Sequence, residues 1–371
     1  MKTRYKLLVV VGLAELLHYW RLSRRYTIFN NTRQPDVEPE QTRIMMRYIL
    51  SKNPEFFERA QLHDNTSHIR NEEELYDCLR IHDEQRPDNR LQVGCSKLYW
   101  RYHPFAFELA MKLIRQIGNG YMRYLGFSRS WHKTADGYYS VWSHIVPGTK
   151  AIVVFPGFGL GAIPYAKLAQ RFDRTLHMIE VPNMGYATPY SDRHSTSKTI
   201  YEVVSQYGFS NDVFAHSMGS SHAAMWVNEN IRTNGTKLSS HNIVICDGFV
   251  NPVDTMRNHM YPFVDYCDYP DIKKKTRTRT EFNLFLWFAD HNLEFNSFAK
   301  RYHNLYDGTL WDEYPKVNIK YVYSGNDILY DTDYIKKKCD CLCIEKGGHG
   351  SVLFGKQRDT VLQIIKQWLS A

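Results

Sequence analysis

The chain has 371 residues, 43% of them hydrophobic, which is enough for one large domain plus an extension. A formal net charge of +8 leaves anionic membranes and nucleic acid as electrostatic partners. No nucleic-acid-binding signature accompanies that charge, so nucleic acid is set aside. Seven cysteines, an odd number without framework spacing, argue against a disulfide scaffold and for buried thiols in a reducing compartment.

The N-terminus places Lys2, Arg4 and Lys6 before an apolar stretch, residues 7–20, that Glu15 interrupts; Arg21, Arg24 and Arg25 follow. The stretch is shorter than the roughly 17–25 residues of a spanning helix, and no small-residue cleavage site follows it. Residues 1–26 therefore read as an interfacial helix or short signal-anchor, standing off the globular part with its apolar face uncovered. Residues 27–126 read as a helical extension. Within it Ala106, Leu109, Ala110, Leu113, Ile114 and Ile117 form a one-sided stripe of 3.6 period, expected to pack on the domain that follows.

That domain, residues 127–371, opens with a hairpin. Residues 131–134 and 138–142 flank Ala135-Asp136-Gly137, and Asp-Gly is a strong turn signal. Continuous apolar runs at 151–155, 176–181, 213–216 and 242–246 predict buried parallel strands with helices between them. The first run ends in Pro156-Gly157-Phe158-Gly159-Leu160-Gly161. With Ala162 this also satisfies G-x-G-x-x-A, and Glu180 stands near the spacing of a ribose-binding acid, so a dinucleotide site is a competing reading.

Ala215-His216-Ser217-Met218-Gly219 joins the third of these runs to a small-residue, helix-prone segment. A serine at a sharp strand-to-helix turn needs small neighbours two residues away on both sides, here Ala215 and Gly219. A serine hydroxyl also needs a base to take its proton and a carboxylate to orient that base. Downstream, residues 320–324 read as a strand ending in Gly325-Asn326-Asp327, and residues 341–344 as one ending before Gly347-Gly348-His349-Gly350. Asp327 and His349 thus follow Ser217 in the order acid, then base. Between the run at 242–246 and the strand at 320–324, residues 249–315 form an aromatic-rich insertion containing a basic run at 273–279. Residues 359–369 close the chain, with Val361, Leu362, Ile365, Trp368 and Leu369 forming an apolar face.

F-P-G-F-G, A-H-S-M-G, S-G-N-D and G-G-H-G, in that order, resemble the α/β-hydrolase superfamily. The N-terminal hydrophobic segment resembles its membrane-associated members of the ABHD type. The resemblance implies a mostly parallel central sheet with helices on both faces, and a lid or cap at 249–315. It implies Ser217 as nucleophile, His349 as base and Asp327 as orienting acid, with Asp247, after the sixth strand, as a reserve acid. The Phe158 and Met218 amides would form the oxyanion hole, and no metal or organic cofactor is called for. The departure is Ala215, where glycine is usual; alanine is small enough to fit. The expected activity is hydrolysis of an ester or thioester of an apolar, lipid-like acyl group at a membrane surface. Two alternatives stay open: an acyltransferase sharing the acyl-serine, and a catalytically inactive binding or scaffold protein on the same fold.

Overall fold

Strands covered on both faces need apolar side chains at consecutive positions rather than alternate ones. The computed structural model describes residues 2–31, 103–185, 191, 195–208, 212–234, 242–248, 318–327 and 341–370. Its eight strands are Ser128–Thr134 (β1), Gly137–His144 (β2), Ile152–Phe155 (β3), Leu176–Glu180 (β4), Asp212–His216 (β5), Asn242–Cys246 (β6), Asn318–Ser324 (β7) and Cys341–Ile344 (β8). Every residue of β3, β4 and β5 is buried. The sheet order is β1-β2-β4-β3-β5-β6-β7-β8. β2 runs antiparallel to both its neighbours, and the other pairings are parallel. This is the mostly parallel architecture expected of the α/β-hydrolase fold. The β1–β2 hairpin turns on Ala135 and Asp136, with Gly137 opening β2 at φ 129°.

Side chains alternate across the sheet and feed two cores. Val153, Phe155, Val213, Ala215, Ile243 and Ile245 pack in one core with the helices Ser197–Ser205 (α4) and Gly219–Asn234 (α5). Ile152, Val154, Phe214, Val244 and Val322 share the other with Leu168–Phe172 (α3) and Arg358–Ser370 (α7). Between β8 and α7 lies the short helix Ser351–Phe354 (α6).

The N-terminal half departs from expectation in two places. The first helix, Lys2–Asn31 (α1), does not stand clear of the domain. Glu15 accepts the Phe105 amide at 3.0 Å, His18 Nε2 lies 3.0 Å from the His103 carbonyl oxygen, and Leu22 joins the first core. Leu16, Leu17 and Trp20 nevertheless remain 60–65% exposed. No described helix is long and apolar enough to cross a membrane.

The helix Phe105–Tyr124 (α2) forms, but it buries Met111, Gly118, Asn119 and Met122 rather than the expected stripe. Leu109, Leu113, Ile114 and Ile117 face solvent. The reason is close approach: a Cβ on Gly118 would lie 2.4 Å from Ile163 Cδ1, so the small-residue face is the one that can dock. Residues 32–102 of the expected 27–126 extension, and the insertion at 249–315 with its basic run, lie outside the described residues.

Candidate active site

Ligands of open α/β sheets bind beyond the carboxyl ends of the strands. The register brings five such ends together: Phe155 pairs with Ala215, His216 with Cys246, Cys246 with Val322, and Ser324 with Ile344. The loops leaving these ends are tied to one another by backbone bonds. Ser217 N–H donates to the Cys246 carbonyl at 3.0 Å, Asp247 N–H to Val322 at 2.8 Å, and Asn326 N–H to Gly347 at 2.9 Å.

Ser217 sits at φ 52°, left-handed backbone that a non-glycine residue adopts only when its surroundings enforce it. The enforcement is the turn itself, squeezed between the end of β5 and the start of α5. A Cβ on Gly219 would lie 2.1 Å from the Phe155 carbonyl oxygen, so glycine is required there. Ala215, the departure from the usual pattern, is fully buried within the first core, where its methyl is accommodated.

The structure brings Ser217, His349 and Asp327 into one hydrogen-bonded row. His349 Nε2 is 2.9 Å from Ser217 Oγ, and His349 Nδ1 is 2.7 Å from Asp327 Oδ2. With the Nδ1 proton facing the carboxylate, Nε2 is left to accept from the serine hydroxyl. Asp327 is 1% exposed. Burial pulls the His349 imidazole down, but the Asp327 carboxylate beside it, its hydrogen bond and the charge of Asp247 together hold it above the ordinary histidine range.

Asp247, the reserve acid, is in the site but in another position. Its carboxylate accepts the Ser324 amide at 2.6 Å, the Ser324 hydroxyl at 3.0 Å and the Gly350 amide at 2.8 Å. Burial and the neighbouring Asp327 push this carboxyl up to about 6, against the pull of His349 and its hydrogen-bond donors. Asp247, Asp327 and His349 bring potential ligand atoms within 4.8 Å of one another. Asp327 and His349 are hydrogen-bonded to each other and His349 to Ser217, whereas Asp247 is hydrogen-bonded to Ser324 and Gly350.

In the loop after β3, the Gly157 amide donates to Tyr165 Oη at 2.7 Å and the Gly159 amide to the Met184 carbonyl at 3.0 Å. Phe158 lies between them, half-buried against the first core, and Met218 is 7% exposed at the head of α5. A Cβ on Gly157 would lie 2.9 Å from Ser217 Cβ, so the loop and the serine turn are in close apposition.

The dinucleotide reading gives Glu180 a ribose to bind, and the structure gives it other partners. Glu180 is 2% exposed; it accepts the Ala162 amide at 3.1 Å and Arg129 Nη2 at 2.8 Å, together with the Ser140 hydroxyl. It is a structural anchor that ties the G-x-G-x-x-A loop to the hairpin.

Two residues of the site were not singled out from sequence, Tyr165 and His216. His216 precedes the serine directly, which is the signal that could have found it. Tyr165 reaches the site only through the fold.

No protein-family model matches the chain, and no curated protein matches it. Several solved structures are similar. Naproxen esterase from Bacillus subtilis has a TM-score of 0.45 at 10% identity, over 70% of this chain and 98% of that one. A bacterial membrane phospholipase A has 0.44 at 13% identity, over 72% and 92%. A soluble variant of monoglyceride lipase from Saccharomyces cerevisiae has 0.43 at 12%, over 66% and 96%. At TM-scores below 0.5 these likenesses add nothing to the strand order and the serine turn, from which the fold is read.

Proposed function

We propose that the chain is a serine hydrolase that cleaves an ester or thioester of an apolar acyl group. The observation that carries this reading is the row Asp327–His349–Ser217, with spacings of 2.7 and 2.9 Å, ending on a serine at φ 52° in a strand-to-helix turn. Ser217 Oγ attacks the acyl carbonyl while its proton passes to His349 Nε2. Asp327 stabilises the imidazolium that results. The Phe158 and Met218 amides receive the oxyanion. Collapse of the tetrahedral intermediate expels the alcohol or thiol, which takes the proton from His349. Water, activated by the same imidazole, then releases the acid.

The apolar acyl group is proposed from the aromatic-rich sequence at 249–315. A groove of about 270 Å³ among the described residues is lined by Leu160, Ile163, Leu353 and Phe354 together with Lys167 and Arg358; it includes none of Ser217, Asp327, His349, Phe158 or Met218. Each buried methylene contributes roughly 0.8 kcal/mol. The kcat/KM on p-nitrophenyl esters is therefore expected to rise from acetate to medium chains. Acetate as the best substrate would favour a small-ester or amide hydrolase. Acyl transfer uses the same acyl-serine and differs only in the acceptor; release of free acid in the same assay distinguishes the two.

We further propose that α1 and α2 face an anionic membrane. Leu16, Leu17 and Trp20 of α1 are exposed, as are Leu113 and Ile117 of α2. α1 holds six basic residues against one acidic, and α2 three against one, so the two helices carry +7 of the chain's +8. Apolar side chains beside basic ones suit an interfacial surface.

A further inference from the structure

A buried tyrosine stands between the two loops that would bind and attack the acyl group. Tyr165 is 2% exposed and packs edge-on against Phe214 in the second core. Its Oη is 2.7 Å from the Gly157 amide nitrogen and 2.7 Å from His216 Nδ1. Gly157 belongs to the loop that carries Phe158, and His216 is covalently joined to Ser217. One hydroxyl thus bridges the loop expected to hold the oxyanion and the turn that holds the serine.

The protons at this bridge can be assigned. An amide only donates, so Tyr165 Oη accepts from Gly157. The single hydroxyl proton is then left for His216 Nδ1. If Nδ1 accepts it, His216 carries its own proton on Nε2. That nitrogen is buried and has no hydrogen-bond partner among the described residues. The other tautomer would have Nδ1–H donate to Tyr165 Oη, whose own proton would then have no acceptor among the described residues. It would also leave Nε2 as an unfilled acceptor, so two groups would be unsatisfied instead of one. The doubly protonated ring is disfavoured as well, because burial and then the adjacent His349 hold the His216 imidazole well below the ordinary range. The His216 and His349 rings are 5.3 Å apart, centroid to centroid.

We propose that Tyr165 is a positioning residue for the oxyanion hole: by accepting from Gly157 and donating to His216 Nδ1, its hydroxyl fixes His216 as the Nε2–H tautomer and holds the Phe158 amide in place relative to Ser217. This rests on the serine-hydrolase reading for its kinetic consequence but not for the tautomer. Tyr165 touches no reacting atom; it acts through the amide and the turn that do.

The test uses Tyr165→Phe in the full chain, which keeps the ring in the core and removes only the oxygen. kcat on a p-nitrophenyl ester is expected to fall about tenfold to a hundredfold with KM changed less than twofold, the signature of a misplaced oxyanion donor. Affinity for a trifluoromethyl ketone, whose adduct bears the oxyanion, should fall by the same factor. A kcat and a ketone affinity both within twofold of wild type in a folded variant would overturn the proposal.

The second arm needs no activity. Nitrogen-15 NMR of the wild-type imidazoles should show His216 protonated at Nε2 and bare at Nδ1. A proton on Nδ1 would overturn the proposal even if the enzyme is active. If the wild type turns over no ester and takes no serine-directed label, the hydrolase reading fails and the tautomer alone decides the bridge.

Discussion

The Asp247 carboxylate accepts the Gly350 amide at 2.8 Å, one residue beyond His349. Two acids therefore act on one imidazole in different ways. Asp327 bonds the ring itself at 2.7 Å, and Asp247 holds the loop that carries it. Replacing either should slow the reaction by different amounts. Asp327→Asn removes the charge that stabilises the imidazolium and presents an amide to Nδ1, so kcat should fall by about 10³–10⁴. Asp247→Asn leaves the row intact and loosens its support, and the loss should be closer to tenfold. Steady-state kinetics on one ester checks both, and a larger loss for Asp247→Asn would reassign the orienting acid.

The two groups also predict opposite pH behaviour. His349 acts as a base only when neutral, and its pKa is raised, so the acidic limb of kcat/KM should have its midpoint above 6.5. Asp247 is a carboxyl raised to about 6, so the folded protein binds its proton more tightly than the unfolded chain does. Its contribution to stability is fullest below about pH 4 and declines as pH rises towards 6. The stability difference between wild type and Asp247→Asn should therefore shrink over that interval. Denaturant titrations at several pH values measure it, and a difference that grows with pH would contradict the assignment.

The serine turn makes a prediction about its two flanking small residues. Gly219→Ala drives a methyl towards the Phe155 carbonyl oxygen, which is backbone and cannot step aside. This variant should lose activity or fail to accumulate folded. Ala215→Gly restores the usual pattern and should keep kcat within a few-fold, at a cost of about 0.5–1 kcal/mol in stability from added backbone freedom. Thermal unfolding and ester turnover separate the two. Full activity of Gly219→Ala would mean the turn is looser than its contacts imply.

Much of this was legible in the sequence, for identifiable reasons. Strands β3, β5 and β6 announce themselves through the continuous apolar runs 152–155, 213–215 and 243–246, as strands covered on both faces require. Ser217, Asp327 and His349 each follow a strand end, so the sheet register alone brings them to one edge. The face of α2 was misread because periodicity marks the largest apolar residues. Docking was decided instead by Gly118, where only the absence of a side chain lets the helix approach Ile163. Glu180 imitated a ribose ligand because spacing does not reveal that Arg129, 51 residues earlier, folds back onto it. Tyr165 left no pattern to read, since its bridge to His216 spans 51 residues.

The uncovered side of α1 and α2 carries its own expectation. Replacing Leu16, Leu17 and Trp20 together by Gln removes apolar side chains that already face solvent, so the melting temperature should hold. Flotation with anionic vesicles should show binding by wild type and marked loss in the triple variant, with salt weakening both. Equal binding by the two proteins would remove these residues from any membrane contact.

The central claim is that Ser217 is the nucleophile, and a fluorophosphonate probe tests it most directly. Such a probe phosphonylates a serine oxygen only where a base activates it. The account predicts one labelled site in the wild-type chain, mapped by mass spectrometry to Ser217, and no labelling of a folded Ser217→Ala variant. Labelling that persists in that variant, or a wild-type protein that takes no label while its His349–Ser217 bond is intact, would contradict it.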